Sequence, residues 1–307
     1  MSNRAESFLV GLIGEGVTPS LTPPMHEREA DVQGLRYLYR PIDLLELSLP
    51  GSAVGDLLTA ASRLGYNGLN ITHPCKQLVL PFLDEVSEDA RRLGAVNTVL
   101  IKEGRFFGHN TDFSGFGSAL ASGLPDAGLD RVVQLGAGGA GSAVAYALLS
   151  AGVKTLDLVD VDPARCAERA DELAALFPGS TVTARTTAEL PQLMPLADGL
   201  VHCTPVGMAA HPGLPLDMSL VEPRHWVADI VYRPIETQLV LEARAKGCRV
   251  LDGGRMAVGQ AADAFRIFTG RDADPERMRA HFLELVGAEE SAAEDSKAHK
   301  ALAGAGH

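Results

Sequence analysis

The sequence predicts an α/β protein of two domains. Its 307 residues are enough for two domains of ordinary size. Apolar runs of strand length alternate with segments of helical spacing, which is typical of α/β folds. Residues 131–162 also combine a strand, a glycine turn, a helix and a second strand in one unit. Such a unit is typical of a doubly wound parallel sheet, so we expect one domain of that kind.

The segment Arg131–Asp162 is the most informative part of the sequence. In it, Gly136, Gly138 and Gly141 have the G-x-G-x-x-G/A spacing of a dinucleotide-binding turn. Asp160 ends the second strand, about where such proteins place the acid that binds the ribose. The unpaired N–H groups of the helix that follows the turn can bind a pyrophosphate. We assign to the cofactor the turn residues Gly136, Ala137, Gly138, Gly139, Ala140 and Gly141.

A membrane span is a competing interpretation of the same region. Val132–Val153 holds no charged residue and has about the length of a span. Gln134 and five glycines argue against a span. A buried βα unit explains the same composition, because parallel strands are covered on both faces and need not alternate.

Composition and charge narrow the class of protein. The chain is 46% hydrophobic and 21% charged, as in soluble globular proteins. Its net charge of −12 repels nucleic acid and anionic membranes, so we expect neither as a partner. The four cysteines lack a C-x-x-C pair, which argues against structural zinc and suits a reducing cytoplasm. Because Met1–Ser7 is polar and only a short apolar stretch follows, we expect no signal peptide, and we expect a cytoplasmic protein without a metal.

The N-terminal part predicts a strand, a polar loop, and then further helices and strands. These elements are strand Phe8–Gly14, helix Met25–Gly34, strand Arg36–Pro41 and helix Ala53–Leu64. In the loop, Ser20 and Thr22 lie two residues apart in a segment predicted to be extended. Their hydroxyls could therefore face one pocket and bind an anionic group. Ordinary turn chemistry explains the same residues, and composition alone favours it.

Three polar clusters each follow an apolar segment. They are GLNITHPCK at Gly68–Lys76, LGAVNTV at Leu93–Val99 and GHNTDFSG at Gly108–Gly115. Strands that end in polar loops are where sheets usually present chemistry, so we expect one shared cleft. Lys76 alone is as well explained as a solvated surface lysine. The presence of Asn97 and Asp112 in the other two clusters is what favours a functional site at Lys76.

The C-terminal part continues the alternation of strands and helices. We predict helix Ala164–Leu176, strand Thr181–Ala184, a strand in Gly199–Met208 that breaks at Pro205, strand Trp226–Tyr232, strand Val250–Gly254 and helix Arg255–Thr269. Residues 287–307 are rich in Ala, Glu and Lys and lack an apolar face. We expect them to form a disordered or loosely helical tail.

Eight motifs together resemble the shikimate dehydrogenase family, from Gly11 to about Val286. In order they are SLT with PPMH, GLNITHPCK, GAVNT, GHNTDFSG, GAGGAG, TPVGM, YRPIET and GGRMAVGQA. The resemblance implies an N-terminal α/β substrate domain of residues 1–114, completed by residues 255–286. It places a Rossmann-type doubly wound dinucleotide-binding domain in residues 115–254, with the substrate in the cleft between the domains.

The resemblance also implies roles for individual residues. Lys76 and Asp112 would be the catalytic pair, since oxidation of a ring hydroxyl needs a positioned acid/base for its proton. The residues implied to hold the substrate are Ser20, Thr22, Thr72, Lys76, Asn97, Asp112, Tyr232 and Gln260. Those implied to hold the cofactor, beyond the glycine turn, are Asp160, Arg165, Thr204, Pro205, Val206, Met208, Val231, Gly253 and Met256.

One departure from the family pattern concerns the cofactor. Many members end the second nucleotide strand with Asn-Arg-Thr and a further Arg, a basic cluster for the 2′-phosphate of NADP. Here Asp160 replaces the Asn and Val161 replaces the first Arg, while Arg165 remains. A carboxylate accepts hydrogen bonds from ribose hydroxyls and repels a phosphate, so we expect NAD.

Two further departures concern the substrate side and the nicotinamide side. Members devoted to shikimate commonly carry Ser-x-Ser, whereas Ser20-Leu21-Thr22, with His73 and Gly259-Gln260, is similar to the quinate/shikimate dehydrogenases. Thr22 could bind the extra tertiary hydroxyl of quinate. His202 stands where the family usually has Asn.

The leading expectation is an NAD-dependent oxidation of quinate, shikimate or both, by a monomer or homodimer. An NADP-dependent biosynthetic shikimate dehydrogenase is one alternative. A ligand-sensing relative without catalysis is another, and the intact Lys76, Asp112 and glycine turn argue against it.

Overall fold

The computed structural model describes residues 7–304, and the side chains of residues 7–289. The strands are β1 (Ser7–Gly14), β2 (Arg36–Asp43), β3 (Gly68–Ile71), β4 (Glu85–Val86), β5 (Thr98–Lys102), β6 (Arg105–His109), β7 (Arg131–Leu135), β8 (Thr155–Val159), β9 (Thr181–Arg185), β10 (Gly199–His202), β11 (Trp226–Asp229) and β12 (Arg249–Leu251). The helices are α1 (Thr22–Val32), α2 (Leu44–Leu47), α3 (Val54–Arg63), α4 (Cys75–Leu78), α5 (Glu88–Leu93), α6 (Thr111–Gly123), α7 (Gly139–Ser150), α8 (Pro163–Leu176), α9 (Leu190–Leu193), α10 (Gln238–Ala245), α11 (Gly253–Thr269) and α12 (Pro275–Gly304).

The first sheet has six strands in the order β2-β1-β3-β5-β6-β4. Strands β1, β2 and β3 are parallel, whereas β5 runs antiparallel to both β3 and β6. One face packs on α3 through Leu58, Leu69 and Val99. The other packs on α1 and α11 through Tyr37 and Phe265. The polar segments after β3 and β6 therefore emerge from a sheet that is covered on both faces.

The second sheet has six strands in the order β12-β11-β10-β7-β8-β9, and all of its pairs are parallel. This is the strand order of a Rossmann domain, in which the direction of winding reverses between β7 and β10. Tyr146 and Leu148 of α7 lie in the cluster on one face, and Leu200 and Leu239 lie in the cluster on the other. The expected α/β fold with a doubly wound domain is confirmed.

Two helices connect the regions of the two sheets, α6 on the way out and α11 on the way back. A Cβ atom on Gly115 of α6 would lie 2.5 Å from the backbone nitrogen of Gln260. A Cβ on Gly259 of α11 would lie 2.7 Å from the carbonyl oxygen of Gly115. Real Cβ contacts are longer than this, so glycine at both positions lets the two backbones touch.

The structure differs from the sequence-based expectation in the loop that follows β1. Thr22 is not in an extended segment, because it begins α1 and its N–H donates to Ser20 Oγ at 3.2 Å. The proposed domain limits at 114/115 and 254/255 fall inside α6 and α11. In the proposed tail, α12 continues as a helix to Gly304, and residues 305–307 lie outside the described part.

Candidate active site

All eight residues proposed to bind substrate line one cavity of about 240 Å³. They reach it from loops and short or terminal helical turns next to the first sheet, from the middle of α11, and from the segment after β11. These residues are Ser20, Thr22, Thr72, Lys76, Asn97, Asp112, Tyr232 and Gln260. The cavity thus collects hydroxyl, amide and charged groups from distant parts of the chain.

A lysine and an aspartate form the charged centre of this cavity. Lys76 lies on the short helix α4, and Asp112 lies in the first turn of α6. Lys76 Nζ donates to Asp112 Oδ2 at 2.5 Å. The Asp112 side chain is 7% exposed and that of Lys76 is 25% exposed, so the ammonium is the more accessible partner. An ammonium has three donors, which leaves donors of Lys76 for a ligand.

A hydrogen-bond network fixes the orientation of Asn97 beside this pair. Asn97 Oδ1 accepts from the backbone N–H of Thr111 at 2.7 Å, which turns its NH₂ group toward Asp112 Oδ1 at 2.9 Å. Behind it, Asn70 Nδ2 donates to Thr98 Oγ1, and Asn70 Oδ1 accepts from Tyr39 at 2.5 Å. Burial raises the pKa of Tyr39 well above its usual range, so its hydroxyl remains a donor. Both carboxylate oxygens of Asp112 are consequently held.

The loop that carries Ser20 is anchored by Asp43 at the end of β2. Asp43 accepts from the backbone N–H groups of Gly16 and Thr18 and from the Thr18 hydroxyl, and it also caps α2 through Leu45. Burial alone would raise the pKa of Asp43, but these hydrogen bonds outweigh it and lower the pKa to about 2. The loop is therefore held by a carboxylate that stays ionised at neutral pH.

A second cavity, of about 320 Å³, lies at the carboxyl ends of β7, β8 and β10. Of the residues proposed for the cofactor, those lining it are Gly136, Gly138, Asp160, Arg165, Thr204, Pro205 and Val206. The others are not part of its lining: Ala137, Gly139, Ala140, Gly141, Met208, Val231, Gly253 and Met256. Cys203 also lines the cavity, and burial, with the charge of Asp229, raises the pKa of its thiol well above the usual range.

The glycine turn fits a dinucleotide. Gly136 has a φ of +101°, and a Cβ there would lie 2.7 Å from the carbonyl oxygen of Cys203. A Cβ on Gly141 would lie 2.2 Å from the carbonyl oxygen of Gly136, whereas Cβ atoms on Gly138 and Gly139 would meet nothing within 4 Å. No side chain caps α7 at Gly138. Its first N–H groups can therefore bind a pyrophosphate.

The structure changes the expected surroundings of Asp160. Its carboxylate accepts from the backbone N–H groups of Ala137 at 2.7 Å and Asp162 at 2.9 Å, and from Arg165 Nη2 at 2.5 Å. Burial would raise the pKa of Asp160, but Arg165 and the two N–H groups outweigh it, so the pKa is lowered. Arg165 also pairs with Asp162 at 3.4 Å. Arg165, the basic residue that remains of the family's cluster, is thus paired with two carboxylates.

His202, whose role the sequence does not reveal, supports the segment after β10. The residue is fully buried. Its Nδ1 lies 2.9 Å from Asp229 Oδ1 and its Nε2 lies 2.5 Å from Thr204 Oγ1. Asp229 can only accept when ionised, so Nδ1 of the imidazole donates to it; in a neutral ring Nε2 then accepts from the Thr204 hydroxyl. Thr204 Oγ1 in turn accepts from the Val206 N–H at 3.3 Å.

Comparison with known proteins decides the family. Two family profiles match, for the shikimate dehydrogenase substrate binding domain over residues 12–99 and the shikimate 5′-dehydrogenase C-terminal domain over residues 254–281. A shikimate dehydrogenase (NADP(+)) of Arthrobacter sp. (strain FB24) is 83% identical over 290 residues, or 94% of this chain and 99% of that protein. The chain belongs to the shikimate dehydrogenase family.

Other members of the shikimate dehydrogenase family carry different cofactors in their names. A quinate/shikimate dehydrogenase (NAD(+)) of Corynebacterium efficiens is 54% identical over 281 residues, or 91% of this chain and 99% of that protein. The solved quinate dehydrogenase from Corynebacterium glutamicum in complex with NAD is 52% identical, with a TM-score of 0.88 over 91% of this chain and 99% of that chain. The resemblance seen in the eight motifs is confirmed, and a nicotinamide dinucleotide is the cofactor class of this oxidoreductase family.

Four further polar or charged residues, which the motifs did not select, line the same cavity: Glu15, Asn70, Thr111 and Arg233. Asn70 lies in the motif GLNITHPCK and Thr111 lies in GHNTDFSG, so their polar side chains within these motifs could have indicated them. Arg233 occupies a variable position of the motif YRPIET, so the sequence gave no indication that it lines the cavity. Within the described part of the chain, no helix is long and apolar enough to cross a membrane, and no group of three His, Cys, Asp or Glu side chains could hold a metal ion.

Proposed function

We propose that this chain transfers hydride reversibly between NAD and a ring hydroxyl of quinate or shikimate, so that oxidation gives the 3-dehydro acid. The observation that carries the proposal is the 2.5 Å contact of Lys76 with Asp112 inside a cavity lined by hydroxyl and amide groups. Those groups suit a small polyhydroxylated ring. The names of the Arthrobacter and Corynebacterium relatives supply the two acids.

The residues of the chain provide the proton transfer that must accompany hydride transfer. When bound, the nicotinamide accepts hydride from the ring carbon or returns it. Lys76 gives a proton to a ring carbonyl in its ammonium form and takes one from a ring hydroxyl in its amine form. Asp112, whose other oxygen is held by Asn97, keeps Nζ in place, so the proton is exchanged along one direction. A positioned acid/base of this kind contributes roughly 10²- to 10⁴-fold in rate.

The preference for NAD is supported by charge in the second cavity. Arg165 is the only cation among the residues that line this cavity, and Asp160 and Asp162 both engage it. A 2′-phosphate would approach these carboxylates and be repelled. Val161, which stands where many relatives have Arg, is 85% exposed and offers no charge.

NADP is the second candidate cofactor, because the 83% identical Arthrobacter relative is named for NADP(+). Initial rates with quinate and shikimate, each against NAD and NADP, test the whole proposal. We expect kcat/KM with NAD to exceed that with NADP for at least one acid. Equal or better rates with NADP would overturn the cofactor assignment. No turnover in any combination would overturn the enzymatic function and favour a ligand-sensing relative.

A further inference from the structure

His202 connects the end of β10 to the end of β11. The parallel register of the two strands places His202 opposite Asp229. The Nδ1 atom of His202 lies 2.9 Å from Asp229 Oδ1, and both residues are buried. Two further donors face the same carboxylate, the N–H of Val231 at 3.0 Å and the hydroxyl of Thr237 at 2.7 Å. Asp229 is therefore held by several donors, and it fixes the orientation of the imidazole ring.

The other nitrogen of the ring reaches a residue of the second cavity. His202 Nε2 lies 2.5 Å from Thr204 Oγ1, and Thr204 lines that cavity together with Gly136. A Cβ on Gly136 would lie 3.1 Å from Thr204 Cγ2, so the threonine lies next to the glycine turn. Thr204 is only half-buried. One hydrogen bond thus connects the buried pair of His202 and Asp229 to the wall of the cavity that fits a dinucleotide.

The hydrogen-bond capacity of Thr204 decides what it can offer a ligand. A hydroxyl has one hydrogen and two lone pairs. A neutral imidazole with its proton on Nδ1 keeps a lone pair on Nε2, which accepts the hydrogen of Thr204. One lone pair of Thr204 Oγ1 accepts from the N–H of Val206 at 3.3 Å. Only the second lone pair remains, so a ligand group that binds this hydroxyl must be a donor.

We propose that His202 is a positioning residue for the cofactor. Anchored by Asp229, its neutral ring holds Thr204 as an acceptor for a hydroxyl or amide N–H of the bound dinucleotide. The inference rests on the proposed function for the identity of that cofactor. Asparagine, which the family usually has at this position, ends about where Nδ1 of the histidine lies. It can therefore contact Asp229, but it is too short to reach Thr204.

The test measures binding of NADH by fluorescence and of ADP-ribose by calorimetry at about pH 8, where histidines are ordinarily neutral. His202→Asn and Thr204→Val should each weaken NADH binding by roughly 3- to 10-fold, the size of one neutral hydrogen bond. Thr204→Ser keeps the hydroxyl and should stay within about twofold of the wild type. A loss for NADH alone assigns the donor to the nicotinamide carboxamide. An equal loss for ADP-ribose assigns it to a group that the two ligands share.

A double-mutant cycle separates positioning from a purely structural role. If His202 acts through Thr204, His202→Asn should change NADH binding by less than about twofold once Thr204→Val is present. His225→Asn is the matched control, because His225 is a buried histidine next to β11 that lines neither cavity. The control should bind NADH as the wild type does.

An equal loss from His202→Asn with and without Thr204→Val would overturn the proposal, because the histidine would then act only on the fold. An NADH affinity that neither single change lowers would also overturn it. Imidazole nitrogen chemical shifts in NMR need no change at His202, and we expect them to show a neutral ring with its proton on Nδ1. A proton on Nε2 would contradict the acceptor role of Thr204. Binding needs no turnover, so these outcomes are separate from failure of the rate assay.

Discussion

Replacing Asp112 by Asn should lower kcat by roughly 10²- to 10⁴-fold and leave dinucleotide binding unchanged. The carboxylate of Asp112 accepts from Lys76 Nζ at 2.5 Å and from Asn97 Nδ2 at 2.9 Å. An asparagine has one acceptor oxygen, so its NH₂ group must face one of these two donors. One hydrogen bond to a charged or buried group is lost, worth roughly 1.5–3 kcal/mol. Because Nζ also loses its fixed position, we expect an activation free energy higher by about 3–5 kcal/mol.

The assay is steady-state kinetics on the ring acid at saturating NAD, with NADH binding by fluorescence and the fold by circular dichroism. Asp263→Asn is the matched control, because Asp263 on α11 accepts from Ser114 on α6 but does not line the substrate cavity. This control should keep its kcat within about threefold. A kcat of Asp112→Asn within the same range, or an equal loss in the control, would refute the reasoning.

Three further changes test other parts of the molecule. Asp160→Ser combined with Val161→Arg should narrow or invert the ratio of kcat/KM for NAD over NADP, and an unchanged ratio contradicts the charge argument. Thr22→Val should reduce kcat/KM for quinate more than for shikimate, because the tertiary hydroxyl that only quinate carries would lose its hydrogen-bond partner, and a buried unsatisfied hydroxyl costs roughly 1–3 kcal/mol. Equal losses for the two acids would assign Thr22 to the carboxylate that they share. Asp43→Asn should lower Tm at pH 7. Since the pKa of Asp43 is about 2, below roughly 3.9 for an unfolded Asp, this difference should shrink as the pH falls from 4 toward 2. A Tm difference that stays constant over that range would contradict it.

Three residues of the substrate cavity were predictable because each lies next to an apolar run of strand length. Asn97 precedes β5, Thr72 follows β3 and Asp112 follows β6, and the ends of neighbouring strands meet at one edge of a sheet. The glycine turn was also predictable, because the spacing of Gly136 and Gly141 is set by close backbone approaches that only glycine allows. The local sequence pattern is therefore enough to predict a site residue when that residue lies at the end of a strand.

Side-chain partners far apart in sequence were not predictable. His202 and Asp229 lie on different strands, and only the parallel register of β10 with β11 brings them side by side. Arg233 donates to Pro19 in the loop after β1 and to Glu289 of α12, neither of which its motif specifies. Arg165 and Asp160 are close in sequence, but their ion pair depends on the side-chain rotamer of Arg165. The spacing of apolar residues along the chain does not reveal rotamers.

The crossing of α6 and α11 has a mechanical consequence. Gly115 touches the backbone of Gln260, the residue that follows Gly259 and whose side chain lines the substrate cavity. Close-packed backbone atoms transmit displacement without yielding. A tilt of one connecting helix against the other would therefore displace the backbone of Gln260 directly. The helix crossing and one wall of the cavity are thus built from the same residue, so any motion at the crossing also changes the shape of the cavity.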